Sequence, residues 1–212
     1  MEIKKLTILG KSDATITMIF DNLESLNLFP EIDIINNLNL EIEKPVANPK
    51  FNFQLFNSLQ GNTISAFQLG VIQVKSKLKV FENFGIDEEK FYTLIHKSAC
   101  ISSTSVLGNG CLVNSLVSVA AHTAIGNFVS INRNASVGHH TTINDFVTIN
   151  PGSQIAGNVT IGRATQIGMG AIVIDGISIG ENSVIGAGSL VTKDIPANVM
   201  AYGSPAKIIK EI

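Results

Sequence analysis

From residue 101 onward, branched aliphatic side chains recur at every sixth position. Ile101, Leu107, Val113, Val119, Ile125, Ile131, Val137, Ile143, Ile149, Ile155, Ile161, Ile167, Val173, Ile179, Ile185 and Val191 fill sixteen successive positions without an exception. Neither a helix nor a two-residue strand alternation sustains that interval, whereas a β-solenoid with one short strand and one turn per hexapeptide does. If three hexapeptides close one triangular coil, side chains eighteen apart should stack, and Asn114, Asn132 and Asn150 form such a ladder, with Phe128 over Phe146 and His122 over His140. Repetition of this kind is favourable because each coil offers its neighbour the same surface. The position after the aliphatic is Gly at 108, 126, 138, 162, 168, 180 and 186 and Asn at 114, 132, 144 and 150. These residues are expected to turn the corners, since both tolerate left-handed backbone. Ser105, Cys111, Thr123, Ala135, Thr141, Ser153, Ala171 and Ser189, four positions after an aliphatic, are small enough for the interior of a narrow prism. The repeats run on without an insertion, so any chemistry must use the coil surfaces.

The pattern before residue 98 is of another kind. Leu6 to Leu9 reads as a buried strand, Gly10-Lys11-Ser12-Asp13 as a turn, and Ala14 to Leu26 as a helix with Ile16, Ile19, Phe20 and Leu23 on one face. Ile32 to Ile35 is a second strand ending at Asn36-Asn37, Thr63 to Leu69 a third ending at Gly70, and Lys75 to Phe84 a second helix; Ile86 to Ile95 leads into the solenoid. Strand, helix, strand order with polar strand ends predicts a small α/β (Rossmann-like) domain that binds a ligand at the carboxyl edge of a parallel sheet. The expected division is therefore 1–97 for the α/β domain and 98–212 for the β-helix and its tail.

Charge follows the same division. Residues 1 to 100 hold 22 Asp, Glu, Lys and Arg, whereas 101 to 192 hold only Arg133, Asp145, Arg163, Asp175 and Glu181. Glycine shifts the other way, with 14 of 18 after residue 100, which favours turns and close backbone contacts over helices. A net charge of -2 provides no basic field for nucleic acid or anionic membrane, and a small molecule is the expected partner. Two cysteines, Cys100 and Cys111, make no disulfide framework. With no membrane-length apolar run and no cleavable apolar segment after Met1, the expected compartment is the cytoplasm.

Several stretches together carry a family resemblance: Ile131-Asn132-Arg133-Asn134-Ala135-Ser136-Val137-Gly138-His139-His140, then Ile149-Asn150-Pro151-Gly152, Ile155-Ala156-Gly157-Asn158-Val159, and the ending Gly203-Ser204-Pro205-Ala206-Lys207. The chain resembles the hexapeptide-repeat sugar acyltransferases, in the branch of UDP-4-amino-sugar and GDP-perosamine N-acetyltransferases and sialic acid O-acetyltransferases. The resemblance is strong from about Leu94 and weak before it. It implies that the parallel β-helix is left-handed, that the protein is a homotrimer, and that acetyl-CoA is the cosubstrate, with no metal. His139 matches the general base, a histidine at the corner where two subunits meet, and Asn132 a residue that helps orient it. Gly157 matches the backbone N–H donor to the thioester oxyanion. Coenzyme A would pass positions matching Gly157, Gly168, Met169 and Ala187. Ser12, Asp13, Asn36 and Asn37 match contacts to a nucleotide-sugar acceptor.

The chain also departs from that pattern. The residue after the base is usually acidic, and here it is His140, which supplies no negative charge. Many relatives place a histidine nine residues past the base, against the acetyl or pantetheine group, and here that residue is Thr148. The glycine-rich nucleotide loop is reduced to Gly10-Lys11-Ser12-Asp13-Ala14, with a carboxylate where a diphosphate would approach a helix N-terminus. Blander readings stand beside these: His139 as a solvated corner residue, His140 as a hydrogen-bond partner of His122, His96 as a structural residue at the domain junction, Asp13 as a helix N-cap. The Phe128 and Phe146 pair points out of the prism, with a subunit interface as the expected cover and packing under the N-terminal domain as the alternative. The activity expected is N-acetylation of a nucleotide-linked 4-amino-deoxy sugar. The alternatives are sugar O-acetylation, a zinc-dependent hydratase of the carbonic-anhydrase-like β-helix type built on His122, His139 and His140, and a non-catalytic solenoid.

Overall fold

The computed structural model describes residues 3–36, 48–59 and 66–212. Its first part is a four-stranded sheet formed by β1 (Lys5–Leu9), β2 (Glu31–Ile35), β3 (Phe53–Phe56) and β4 (Ala66–Leu69), in the order β3-β2-β1-β4 and parallel throughout. Helix α1 (Asp13–Ser25) buries Ile16, Ile19, Phe20 and Leu23, the stripe expected of its three- and four-residue spacing. Ser12 takes the extended N-cap geometry and Asp13 is the first helical residue, which corrects the assignment of Asp13 as the cap. Helix α2 (Val74–Phe84) ends at Gly85, whose φ of 56° provides the left-handed turn that stops it. The sequence pattern did not reveal β3. It is an edge strand, Phe-Gln-Leu-Phe, with its side chains only partly buried, and it lacks the apolar run that marks β1 and β2. Of the strand expected over 63–69, the first three residues lie outside the described residues, as does Asn37.

From Leu94–Ile95 to Leu190–Val191 the chain winds as a three-sided parallel solenoid with a two-residue strand on each side of each coil. Ile131 pairs with Ile149 and Ile149 with Ile167, each eighteen residues on and each 0% exposed. The sixfold aliphatics fill the prism together with Cys111, Ala135 and Ala171, as the spacing predicts. The corners correct one expectation. Left-handed φ falls at the third position after the aliphatic, in Gly110, Leu116, His122, Phe128, Asn134, His140, Phe146, Gly152, Asn158, Ala164, Gly170, Gly176, Asn182 and Gly188. The glycines directly after the aliphatics are not left-handed and serve close stacking instead. A Cβ on Gly138 would lie 2.4 Å from the Ala156 carbonyl carbon, and one on Gly162 2.3 Å from the Glu181 nitrogen. Asparagines at the same position clamp successive coils, with Nδ2 of Asn132, Asn144 and Asn150 donating to the carbonyls of Ile149, Ile161 and Ile167 at 3.1, 2.9 and 2.8 Å.

The α/β unit covers one side of the prism, the eight-stranded sheet that includes Leu94–Ile95, Leu112–Val113, Ser130–Ile131, Thr148–Ile149 and Gln166–Ile167. Phe128 and Phe146, stacked at 4.8 Å, are 1% and 3% exposed, and Phe81 of α2 lies 4.7 Å from the first ring and 5.5 Å from the second. These phenylalanines therefore lie under the N-terminal unit and not at a subunit interface. Lys77 of α2 is fully enclosed there; its amino group donates to Phe128 O at 2.9 Å and Val147 O at 3.0 Å and approaches Ser130 Oγ at 3.5 Å. Burial pulls its pKa down to about 7, the nearby Cys111 partly opposing, while burial pushes the Cys111 thiol up to about 11.

Candidate active site

Each coil turns at three corners. The first, between the covered sheet and the six-stranded sheet, carries residues 133–134, 151–152, 169–170 and 187–188; the second, between the six- and five-stranded sheets, carries 121–122, 139–140, 157–158 and 175–176; the third carries 127–128, 145–146 and 163–164. The second corner lies opposite the side on which the α/β unit sits. His139 and His140 are both exposed there.

His139 is held from two directions. Its Nδ1 lies 3.1 Å from Nδ1 of His140, so one ring must present N–H and the other a lone pair. When His139 is the donor, its Nε2 is left with the lone pair, the form a general base needs. His140 is backed by His122 one coil earlier, ring centroids 4.9 Å apart, and its left-handed φ of 56° directs it along the corner. His140 thus bonds His139 and only packs against His122, the rings tilted by 39°, which corrects the expected His122–His140 hydrogen bond. On the other side the His139 ring lies on Gly157, where an added Cβ would come within 2.7 Å of Cε1 and 2.8 Å of Nε2. The Gly157 N–H donates to no acceptor among the described residues. Gly138 keeps its approach open, because a Cβ there would stand 2.5 Å from the Gly157 nitrogen. A base nitrogen and an unspent backbone donor therefore lie side by side at this corner, with Gly157 buried beneath the imidazole.

Three further residues complete this corner, and sequence reasoning missed all of them in this role. Gly138 is one more repeat glycine by pattern. Asn158 donates through Nδ2 to Asp175 Oδ1 at 3.2 Å, and that oxygen is 3.0 Å from the point a Gly157 Cβ would occupy. The signal that could have exposed Asp175 is its spacing of thirty-six residues from His139, two coils along the same corner.

The remaining expected site residues lie elsewhere in the chain. Asn132 is 3% exposed and follows a strand of the covered sheet next to the first corner, accepting from Asn114 Nδ2 at 3.2 Å while it clamps Ile149 O. Within one chain it does not meet His139. Gly168, Met169 and Ala187 are also at the first corner, where Met169 is 60% exposed. Thr148 is buried on the covered sheet, its hydroxyl donating to Ile72 O at 2.9 Å. It lines a cavity of about 490 Å³ with Ile72, Gln73, Lys75, Gln166 and Val184. Ser12, Asp13 and Asn36 gather at the carboxyl edge of the four-stranded sheet: Gly10 donates to Ile35 O at 2.9 Å, Ser12 to Gly70 O at 3.0 Å and Asn36 to Phe56 O at 2.8 Å. Lys11 Nζ stands 3.7 Å from Asp13 Oδ1 and partly offsets the carboxylate at that edge. Among the described residues no set of three His, Cys, Asp or Glu side chains is placed to hold a metal ion. No helix among them is long and apolar enough to cross a membrane.

Comparison with known proteins agrees with this geometry. The family described as bacterial transferase hexapeptide (six repeats) matches residues 158–193. A search of curated proteins found no match. Among solved structures, the chain is similar to a histidine-to-asparagine mutant of perosamine N-acetyltransferase from Caulobacter crescentus, in complex with CoA and GDP-perosamine. The TM-score is 0.82 at 25% identity, covering 98% of this chain and 97% of that one. It is similar also to the acetyltransferase domain of PglB from Neisseria gonorrhoeae, with a TM-score of 0.83 at 25% identity over 97% of this chain and 100% of that one. WeeI from Acinetobacter baumannii shares the fold at 21% identity and a TM-score of 0.77, over 97% of this chain and 99% of that one. Residues 158–193 thus match the bacterial transferase hexapeptide repeat, and they lie within the three-sided parallel solenoid. The whole chain, α/β unit included, has the architecture of the perosamine N-acetyltransferase and of the PglB acetyltransferase domain.

Proposed function

We propose that this protein is an acetyl-CoA-dependent sugar acetyltransferase that N-acetylates a nucleotide-linked 4-amino-deoxy sugar. The observation that carries the reading is His139: one ring nitrogen is tied to His140, and the other rests over bare Gly157 beside a free backbone donor. Such a pair suits acyl transfer, in which a proton leaves the attacking atom while negative charge grows on the thioester oxygen. His139 takes a proton from the acceptor nitrogen as it attacks the carbonyl carbon, and the Gly157 N–H stabilises the oxygen as it gains charge. When the carbon–sulfur bond breaks, His139 returns the proton to the sulfur of coenzyme A. A thioester is already activated, so a covalent enzyme intermediate is unnecessary.

In this reading residues 1–97 hold the acceptor, through Ser12, Asp13, Asn36 and Asn37, and the left-handed β-helix of 98–212 carries out the transfer. The second corner lies opposite the α/β unit of its own chain, so the acceptor domain facing His139 belongs to another copy. A homotrimer provides it: the second corner of one prism meets the first corner of the next, which brings Asn132 to orient the base and contributes Gly168, Met169 and Ala187 to the coenzyme groove. Thr148 lies on the sheet beneath that copy's acceptor domain, and His140 orients the base. The similar perosamine N-acetyltransferase, in complex with CoA and GDP-perosamine, supports this choice of substrates. A cytoplasmic location fits the supply of both.

The test is thiol release from acetyl-CoA with a panel of nucleotide amino sugars, for the unaltered protein and His139→Ala. A loss of at least about a hundredfold is expected, from the usual size of general-base effects. Equal turnover would remove His139 from the mechanism, and absence of turnover with every acceptor would remove the activity.

A further inference from the structure

We infer that Asp175 is a second contact for the attacking nitrogen and selects an amine over a hydroxyl acceptor; this rests on the acyltransferase reading above. His139 Nε2 and Asp175 Oδ1 lie 2.8 and 3.0 Å from one point above Gly157. That point is one covalent bond from the Gly157 Cα, so the two distances bring Nε2 and Oδ1 within about 6 Å of each other, a gap that one nitrogen spans with two hydrogen bonds, and no direct ion pair or hydrogen bond joins the two side chains. A single nitrogen on the open side of the line between them can therefore bond both. Gly157 makes this possible, because any side chain there would occupy the space through which the two groups, two coils apart, face each other. Asp175 is itself steered by Asn158 Nδ2 at 3.2 Å.

The chemistry of the acceptor gives this arrangement a purpose. An aliphatic amine is largely protonated near neutrality. It enters as an ammonium with three N–H donors, and a carboxylate accepts from it more strongly than a neutral group does. The ammonium loses one proton to solvent before attack and one to His139 during it, as the nitrogen–carbon bond forms and the carbon–sulfur bond breaks; the second proton goes on to the sulfur. The N–H that survives in the amide product is the one Asp175 holds. A hydroxyl has one proton, which His139 takes, and brings no charge and no second donor for Asp175. His140 beside the base brings no carboxylate, and Asp175 supplies a negative charge to the corner from two coils away.

The experiment compares the full-length protein with Asp175→Asn and Asp175→Glu. The acceptors are a nucleotide 4-amino sugar and its 4-hydroxy counterpart, with slow hydrolysis of acetyl-CoA followed in parallel. Asp175→Asn keeps the shape and an acceptor oxygen for Asn158 but loses the charge. It should lower kcat/KM for the amine on the order of tenfold to a hundredfold, the weight of a charge-assisted hydrogen bond. The KM for acetyl-CoA should stay within about twofold, hydrolysis and any transfer to the hydroxyl should fall clearly less than transfer to the amine, and Asp175→Glu should recover part of the loss. Wild-type kcat/KM in Asp175→Asn, or an equal fall in amine transfer and hydrolysis, would overturn the assignment alone. No thiol release by the unaltered protein with any acceptor would overturn the acyltransferase reading, and this assignment with it.

Discussion

Gly157→Ala tests the catalytic corner without removing any functional group. The added methyl carbon would stand 2.7 Å from Cε1 and 2.8 Å from Nε2 of His139, and 3.0 Å from Asp175 Oδ1. Carbon atoms in contact settle at about 3.5–4.0 Å, so the imidazole must retreat by roughly 1 Å. Misplacing a reacting group by that much costs about a hundredfold in rate, near 3 kcal/mol of barrier. The fold should tolerate the change, since the atoms displaced are ends of exposed side chains and Gly157 is not among the left-handed residues. The alanine also removes some freedom from the unfolded chain, worth about 0.4–1 kcal/mol in favour of folding. The backbone donor remains. The expected result is a kcat for thiol release reduced about a hundredfold with an unchanged or slightly raised melting temperature. A variant with full kcat would refute the packing of His139 over Gly157 as the catalytic geometry, and one that unfolds would refute the claim that this corner has room to adjust.

Three further outcomes follow from the packing. Lys77 has a folded-state pKa of about 7 against an ordinary value of 10.5. Above the folded value the unfolded chain binds a proton that the native one lacks, so stability should rise with pH from about 7, and below that it should stay at its low plateau. The opposite shift at Cys111, raised from 9.0 to about 11, makes stability fall with pH above 9, which leaves pH 7 to 9 as the clean window. Urea unfolding across that window should show an upward slope for the unaltered protein and a flat line for Lys77→Met; equal slopes would contradict it. Phe128→Ala should cost about 3–5 kcal/mol by loosening the α/β unit from the prism, with the oligomeric state by light scattering unaltered. Dissociation into monomers would return Phe128 to a subunit interface. Ile149→Ala, inside the prism and paired to Ile131 and Ile167, should cost about 2–5 kcal/mol by calorimetry, and a cost under about 1 kcal/mol would contradict its full burial.

A period of six repeated sixteen times left no alternative to a three-sided tube, because one residue in each strand must enter a prism too narrow for anything else. That constraint is local and recurs in every coil, so the sequence alone determined the strand positions, the stacking of residues eighteen apart and the filling of the interior. His139 and Gly157 were singled out by family resemblance and not by the period, although the eighteen-residue interval between them does put one over the other. The tertiary structure decided the rest. Which of three outward sides the α/β unit covers depends on the fit of α2, Phe81 and Lys77 to the Phe128–Phe146 stack, contacts of long sequence separation that no period announces. That docking turned an apparent interface into a domain contact and divided the expected site residues between two corners of one chain. The corner glycines show the same limit: their spacing is readable, but whether each meets a left-handed turn or the backbone of the next coil depends on distances between coils, which only the folded prism sets.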